Sequence, residues 1–268
     1  MTIIESAEAA CSDFDAIFLS TGTCPFLRAP GNGAAIPIDA IRQITNHDVL
    51  AAYQEFQSDA NIKVLTAARK TDRRGALAVS VRGKGRYRID WYHQRSSLSM
   101  TIRRVPFDRG PWVDYWSADY LRESYKARIE PLLIPGKVVW ITAEIPQIGH
   151  LFGDALTEEC SNANQHAKII KVDDPVRYLH KSGADCLVEQ IELGVDCESI
   201  AEAVRAVSVS AADGAIIDVS WADPSAAQSA IDNLRDEGLW VVAWAPLRYA
   251  DPNDCRIVVN RQAIEVLA

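Results

Sequence analysis

Three polar side chains in the middle of the chain, His150, Asp154 and Glu158, recur every four residues. On a helix this spacing places all three on one face, the arrangement that a metal site or a proton relay would need. The opposite face is apolar and consists of Ile148, Leu151, Phe152, Ala155 and Leu156. Because the apolar face would pack against the core, we expect the polar face to be exposed to water, and we predict no metal site.

His93 is a candidate for acid–base chemistry. It ends a basic, strand-like segment, directly after Trp91-Tyr92 and shortly before Arg95. Aromatic and cationic neighbours can shift the pKa of a histidine into the range in which it works as a general base. The alternative is an exposed histidine at the end of a strand, with no role in chemistry.

A basic, glycine-rich run lies at Arg82-Gly83-Lys84-Gly85-Arg86. Backbone N–H groups in such a loop can hold a phosphate group, and arginine side chains can add to an anion site. We therefore name Arg82, Gly83 and Gly85 as candidate contacts for an anionic cofactor. The alternative is a solvated hairpin turn, since the residues from Tyr87 onward alternate as a strand and do not open a helix.

Aromatic side chains are concentrated between residues 106 and 125, mixed with aspartates. Trp112, Tyr115 and Trp116 could line a substrate pocket to which Arg95 adds a charge. Such a segment could equally form an interface between two halves of the chain or between subunits. The sequence leaves these alternatives open.

The segments that position these residues divide near residues 131–136, where two prolines and a glycine predict a boundary. We predict an N-terminal half of residues 1–135 and a C-terminal half of residues 136–268. In the first half, helices are predicted at 38–44 and 46–57, and strands at 14–20, 76–81, 87–93 and 97–105. In the second half, strands are predicted at 138–145, 167–172 and 186–193, and helices at 148–160, 175–181 and 196–209.

The last third of the chain has the most ordered pattern. Residues 214–220 form a short, apolar, β-branched run that predicts a buried strand. Asp223-Pro224 then supplies an N-cap acceptor and a proline at the first helical position. Gly238 predicts the end of that helix, and two further strands are predicted at 239–245 and 255–260. The predicted order is β-α-β-β.

This order resembles the closing unit of the GNAT (Gcn5-related N-acetyltransferase) superfamily, in which an Asn-Pro or Asp-Pro turn opens a helix that ends at Gly-Phe before a hairpin. Asp223-Pro224 and Gly238-Leu239 are the matching positions, with Leu239 replacing the usual aromatic residue. Asn233 and Leu234 stand where a catalytic tyrosine often lies in that family. The resemblance implies an α/β (α+β) fold with mixed, largely antiparallel sheets and flanking helices, with the two halves as tandem GNAT-like units.

The same resemblance implies an acyltransferase that moves an acyl group from acyl-CoA to the amine or hydroxyl of a small molecule. In that mechanism the acceptor attacks the thioester directly, His93 or Glu144 acts as the base, and backbone amides polarise the carbonyl. The loop at 193–198 stands at the family's phosphate-binding position but carries two carboxylates, so we do not expect the second half to bind CoA in the usual manner.

Two further functions remain as alternatives. One is a non-catalytic GNAT-like module that binds an anionic ligand or partner through the basic strands and the aromatic segment. The other is an enzyme of different chemistry on a similar frame, which would use the face formed by His150, Asp154 and Glu158.

Charge is distributed unevenly along the chain. The net charge is -8, but residues 69–109 contain twelve basic and three acidic side chains, a local balance of +9 that leaves -17 for the rest. A basic segment within an acidic chain favours a local anion site over a surface that binds nucleic acid. We expect a small-molecule substrate, no nucleic-acid partner, and a homo-oligomer as a further possibility.

The cysteine pattern and the hydropathy indicate the cellular compartment of the protein. Six cysteines occur without a CxxC pair, which argues against a zinc site and a disulfide framework. Cys24, in a polar turn, is the one candidate nucleophile, although a buried structural role is favoured. No run of about 18 apolar residues is present, and the N-terminus is acidic. We therefore expect a cytoplasmic protein with no contact to a membrane.

Overall fold

The computed structural model describes residues 3–29, 35–38, 41, 43–59, 74–81, 84–94, 97–106, 111–143, 145–163, 167–182, 185–220, 222–245, 255–260 and 263–267. The chain forms two compact units, Met1–Pro106 and Phe107–Ala268. Each unit contains its own sheet and its own buried apolar cluster or clusters. The predicted α/β class is confirmed.

The first unit is built on an antiparallel sheet. Its elements are α1 (Ile3–Ala10), β1 (Ala16–Ser20), β2 (Phe26–Arg28), β3 (Ala35–Pro37), α2 (Asn46–Asp59), β4 (Arg74–Val81), β5 (Gly85–Gln94) and β6 (Ser97–Val105). The strand order is β3-β2-β1-β6-β5-β4, and every pair is antiparallel. The meander predicted from the alternating residues is present as β4, β5 and β6. Its inward side chains, among them Leu77, Ile89 and Ile102, are buried with those of α1 and α2.

The second unit is built on a mostly parallel sheet. Its strands are β7 (Val138–Ala143), β8 (Ala167–Asp173), β9 (Cys186–Glu192), β10 (Gly214–Asp218), β11 (Trp240–Trp244), β12 (Cys255–Val259) and β13 (Ile264–Leu267). The order is β13-β12-β7-β11-β10-β8-β9. All neighbours are parallel except β12 and β13, which form an antiparallel pair.

Helices cover both faces of this parallel sheet. They are α3 (Ala118–Ser124), α4 (Pro146–Ala163), α5 (Ile200–Val209) and α6 (Pro224–Asp236), and a π-helical turn (Tyr125–Ile129) follows α3 directly. Alternate residues of each strand pack to opposite sides: Val139 and Ile141 face α4, whereas Trp140 faces the layer of α5 and α6. Burial on both faces explains why these strands are continuous apolar runs.

The aromatic segment before β7 belongs to the second unit, although the sequence assigns it to the first half. Trp112, Trp116 and Tyr125 are buried in the same cluster as Phe152 of α4 and Val139 of β7. Pro131 lies in a 3₁₀ helix (Glu130–Leu132), and Pro135 and Gly136 form the turn that enters β7, where Gly136 has a φ of 73°. The turn signal is real, but it marks the entry to a strand, and the two compact units divide at residues 106 and 107.

The strand pairing that the GNAT resemblance predicts for residues 214–260 is wrong. The local signals are correct: Asp223 caps α6 through Ser225 N–H at 3.0 Å, and Gly238 has a φ of 89° after the helix. However, β10 and β11 are parallel neighbours, and β12 does not pair with β11. Both β11 and β12 lie parallel to β7, one on each side of it. The hairpin that the resemblance requires is therefore replaced by a crossover.

Two predicted helices are absent from the described residues. Residues 175–181 form an irregular segment between β8 and β9, and the described part of 38–44 is not helical. The N-cap of α2 is Thr45, which forms a reciprocal pair with Asp48: Thr45 N–H donates to Asp48 Oδ2 at 2.7 Å. Asn46, predicted as the cap, instead accepts a hydrogen bond from Leu98 N–H at 2.9 Å.

None of the helices within the described ranges combines the length and the apolar composition that crossing a lipid bilayer requires.

Candidate functional site

The parallel sheet of the second unit has a point at which its connections diverge. From β7 the chain runs through α4 to β8 on one side, and from β11 it continues to β12 on the other side. Since β7 and β11 are neighbours, their carboxyl ends border a crevice at a topological switch point. Ligands of open α/β sheets bind in such crevices, so this edge is the candidate site.

The turn from β7 into α4 is where a phosphate-binding loop would lie. Such a loop has the pattern G-x-x-x-x-G-K-[ST], with a lysine and a hydroxyl at the start of the helix. The sequence contains no match to this pattern. If the pattern began at Ala143, its second glycine, lysine and hydroxyl would fall on Ile148, Gly149 and His150.

The space beside Gly149 is filled by Trp244, the last residue of β11. A Cβ atom on Gly149 would lie 2.5 Å from Cη2 and Cζ3 of the Trp244 indole. The glycine is therefore needed because the indole rests on the helix backbone at that point. A lysine at this position would meet the same ring, so the first turns of α4 are closed to the side chain that holds phosphate groups elsewhere.

His150 lies between the indole and a buried carboxylate. The Trp244 Nε1–H donates to His150 Nδ1 at 3.0 Å, and Asp218 Oδ2 lies 3.0 Å from the same nitrogen. Asp218 ends β10, is 4% exposed, and accepts hydrogen bonds from the backbone and hydroxyl of Ser220. Arg177 Nη1 lies 3.9 Å from Asp218 Oδ2. These groups lie together at the carboxyl ends of β10 and β11.

A second polar cluster joins α4 to β8. The Lys171 ammonium lies 2.6 Å from Asp154 Oδ1 and 2.5 Å from the carboxylate of Asp173, and all three side chains are buried. His180 Nε2 is 3.3 Å from Asp154 Oδ1, and the ring of Trp112 stacks on the His180 imidazole with centroids 6.2 Å apart. Lys171 is therefore already paired with two carboxylates.

The pKa values in this cluster follow from burial and from the shared ammonium. Burial opposes ionisation of Asp154, but the charge of Lys171 and the hydrogen bond with His180 prevail and lower its pKa to about 2. Burial raises the pKa of Asp173, and the negative charge of Asp154 adds to that effect. The pKa of Lys171 is raised because its two carboxylates outweigh its desolvation.

The charge at this edge does not favour a triphosphate. The strands β8, β9 and β10 end at Asp173, Glu192 and Asp218, all of which are buried. The nearby cations are Lys171 and Arg177, and Lys171 is bound between carboxylates. An anionic ligand would meet an excess of acidic groups here.

Of the candidates predicted in the first unit, the structure describes His93 and Gly85. His93 is exposed near the end of β5, and its ring meets Trp91 edge-on with centroids 6.1 Å apart. Gly85 begins β5 with a φ of 105°, as a turn glycine would. Arg82, Gly83 and Arg95 lie outside the described residues, as does Glu144 of the second unit. Their predicted roles stay predictions.

The aromatic candidates lie in the second unit and are mostly core residues. Trp112 and Trp116 are 5% and 2% exposed, while Tyr115 is 40% exposed. Trp112 packs edge-on against Tyr178 at 4.9 Å, and Trp116 packs against Phe152 at 5.8 Å. Their packing closes one face of α4, and their predicted role in binding a substrate stays a prediction.

The expectation that His150, Asp154 and Glu158 all face water is wrong. Asp154 is 2% exposed and the His150 side chain 13% exposed, because this side of α4 faces the sheet, where Lys171, Asp218 and Trp244 contact them. Glu158 remains the most accessible, with a side chain 37% exposed. Among the residues that the structure describes, no group of three or more His, Cys, Asp or Glu side chains could hold a metal ion.

Sequence reasoning missed Asp173, Lys171, His180, Asp218 and Trp244 as members of the two clusters. A signal was available, since Asp173 and Asp218 each end an apolar strand-like run. Polar residues at the carboxyl ends of parallel strands gather at one edge of a sheet. The signal was not used because the strands were expected to be antiparallel.

Comparison with known proteins gives two sequence relatives over part of the chain. No family model matches the chain. The chain is 25% identical over 129 residues to the type IV pilus ATPase PilU of Pseudomonas aeruginosa and 26% identical over 181 residues to the uncharacterized protein YggR of Escherichia coli. These matches cover 48% and 67% of the chain but only 31% and 49% of the relatives, so the chain spans half or less of their length.

Solved structures share the fold over nearly the whole chain. The pilus retraction motor PilT, crystallised with bound ADP, superposes with a TM-score of 0.69 at 18% identity and covers 96% of this chain. The match spans 78% of PilT. The ATPase DotB of Legionella pneumophila superposes with a TM-score of 0.68 at 14% identity, over 100% of this chain and 80% of DotB. The fold is that of these ATPases.

These findings overturn the functional expectations drawn from the GNAT resemblance. PilU and DotB are ATPases and PilT is a pilus retraction motor, and none of these proteins is an acetyltransferase. The predicted acyl transfer, the acyl-CoA co-substrate and the GNAT assignment are therefore wrong. The β-α-β signals that suggested them occur in many α/β sheets, including this one.

Proposed function

We propose that this chain is a subunit of a pilus-type motor assembly that has the ATPase fold but does not hydrolyse ATP. The observation that carries the proposal is the likeness of fold to PilT over 96% of the chain, which includes residues of both compact units. The sequence relationship to PilU supports the same class of assembly.

The absence of hydrolysis is argued from what occupies the crevice. Trp244 covers Gly149, His150 lies between Trp244 and Asp218, and the ammonium of Lys171 is held by two carboxylates. A triphosphate needs free N–H groups and an unpaired cation at this place. In the proposed assembly the hydrolysing subunits are separate chains, and this chain contributes contacts or regulation.

A second candidate function is ATP hydrolysis by the chain itself. It is favoured by the name of PilU as an ATPase and by the ADP bound to PilT. Hydrolysis would require the Trp244 indole to leave α4, so that the turn after β7 could meet a phosphate group.

An ATPase assay separates the two candidates. The purified chain should release no phosphate from Mg-ATP above background, and ATP or ADP should not raise its melting temperature. A PilT-type ATPase from the same organism, purified in parallel, is the positive control. Turnover by the chain that depends on Mg²⁺ would support the second candidate and contradict the first.

Association with the motor is tested in the same preparation. Mixed with the PilT-type ATPase, the chain should elute in a common complex on size exclusion and should change the rate of ATP hydrolysis per ATPase subunit. If the two proteins elute separately at concentrations of about 10 μM, a dissociation constant between them in the low micromolar range is excluded and the proposal fails.

A further inference from the structure

A charged pocket lies at the opposite end of α4 from the crevice. It has a volume of about 490 Å³, and its wall includes Arg122, Tyr125, Lys126, Glu130, Glu159 and Asn162. Glu159 lies nine residues after His150 on α4, which corresponds to about 13 Å along the helix. The pocket is therefore separate from the candidate site described above.

Glu159 is the buried charge of this pocket. The residue is 9% exposed, and within the described ranges its carboxylate has no hydrogen bond and no ion pair shorter than 4 Å. Burial raises its pKa, while Arg122 and Lys126 act in the opposite direction from a longer distance. The side chain is largely buried but its carboxylate reaches the pocket, so a ligand cation placed against it would offset part of the cost of its burial.

The second wall of the pocket carries cations. Arg122 and Lys126 are four residues apart across the junction of α3 and the π-helical turn, so both project to the same side. The turn is defined by the Glu130 N–H, which donates to the carbonyl of Tyr125. Single π-helical turns occur often at functional sites because they widen a helix locally and re-aim its side chains.

We propose that this pocket binds a small zwitterion that carries an ammonium group and a phosphate group. The ammonium contacts Glu159, and the phosphate contacts Arg122 and Lys126. Glu130 is a second carboxylate within reach of the ammonium, and the Asn162 amide can donate or accept a hydrogen bond. The guanidinium suits a phosphate because its N–H groups can bind two oxygens at once.

Phosphoethanolamine is the probe, and ethanolamine and inorganic phosphate are its two halves. By calorimetric titration, phosphoethanolamine should bind at least about tenfold more tightly than either half, because both charges are recognised together. Glu159→Gln and Arg122→Gln should each weaken that binding by about tenfold or more. Glu123→Gln, an exposed change on α3 outside the pocket, should leave it unaltered.

The proposal is overturned if the two halves bind as well as the whole, if Glu159→Gln binds normally, or if no binding occurs at millimolar concentration. Arg122 is exposed, so Arg122→Gln keeps the test valid should Glu159→Gln fail to fold. Vesicles with phosphatidylethanolamine, compared with phosphatidylcholine alone, distinguish a lipid headgroup from a free compound as the source of the ligand.

Discussion

Lys171 is the residue on which the buried polar cluster depends. Its ammonium is 4% exposed and contacts Asp154 and Asp173, so its removal would leave two carboxylates facing each other without water. We expect Lys171→Met to lower the free energy of unfolding by about 3–5 kcal/mol, measured by urea denaturation at pH 7.

Lys168, on the same strand, is the matched control. It forms an ion pair with Glu189 at 3.0 Å whose side chains are 25% and 47% exposed. Lys168→Met should cost about 1 kcal/mol or less. Equal losses of unfolding free energy in the two variants would show that the buried ion pairs of Lys171 contribute no more than the exposed pair of Lys168.

Asp154 should make the stability depend on acid pH. Its pKa is lowered from 3.8 to about 2, chiefly because the charge of Lys171 outweighs the effect of burial. A lowered pKa means that folding favours the ionised form, so the stabilisation is complete above about pH 4 and is lost as the pH falls toward 2. The free energy of unfolding of the wild type should therefore approach that of Asp154→Asn over this range.

A constant difference between Asp154→Asn and the wild type from pH 6 to pH 2 would contradict this assignment. The raised pKa of Asp173 acts with the opposite sign. Asp173 is present in both proteins, so its contribution largely cancels in the comparison. His180, Lys171 and Asp173 are the charged or titratable groups in contact with or beside Asp154 in the described structure.

At the residue scale, the sequence predicts which side chains share a face but not what covers that face. The spacing of His150, Asp154 and Glu158 correctly places them together along one side of α4. Asp154 is covered by Lys171 and His180, and His150 contacts Trp244 and Asp218, all of which come from segments outside α4. Periodicity within one helix contains no information about such partners.

The contact between α4 and β11 rests on two glycines in different environments. A Cβ on Gly149 would meet the Trp244 indole at 2.5 Å, whereas a Cβ on Gly153 would meet nothing within 4 Å. We expect Gly149→Ala to destabilise the chain by about 1–3 kcal/mol through overpacking. Gly153→Ala should instead stabilise it by about 0.5–1 kcal/mol, because alanine favours the helix.

Thermal or urea unfolding of the two alanine variants measures both changes in stability. If both variants were stabilised, the indole would have moved off the helix, and the crevice at the carboxyl edge would be open. That result would also weaken the argument against ATP hydrolysis.

At the scale of elements, helix termini were predictable and strand partners were not. Asp223 and Gly238 mark the ends of α6 because caps are local interactions between a few residues. The pairing of β7 with β11 and β12 joins residues about 100 or more positions apart. An apolar run predicts a buried strand, but it does not specify which strand lies beside it.

For the whole molecule, the division at residues 106 and 107 predicts how the chain can be cut. Residues 107–268 contain both apolar clusters of the second unit, including Trp112, Trp116 and Tyr125. Expressed alone, this segment should unfold cooperatively on heating. A segment of residues 136–268, which follows the boundary predicted from the sequence, lacks those three aromatic side chains.

The shorter segment is the control for the longer one. Removing three buried aromatic residues costs roughly 3–5 kcal/mol each when one is changed to alanine, which exceeds the stability of most domains. We expect 136–268 to be insoluble or to melt without cooperativity. Cooperative melting of 136–268 at the same temperature as 107–268 would favour the boundary predicted from the sequence.

The α/β class and most elements could be predicted because composition and periodicity report burial directly. The function could not, since the signals at Asp223 and Gly238 describe a helix and not a family. The likeness to PilU and PilT came from comparison with known proteins and not from local signals within this sequence.

The contact between the Trp244 indole and Gly149 means that no single substitution at either position would readily open the turn after β7. A lysine at position 149 is blocked while Trp244 remains, and loss of Trp244 alone leaves a cavity beside a glycine. Each single step is unfavourable, and only the paired change could open the turn, so the two positions should be strongly non-additive. The contact between these two residues would therefore have to be replaced as a pair before position 149 could carry a lysine.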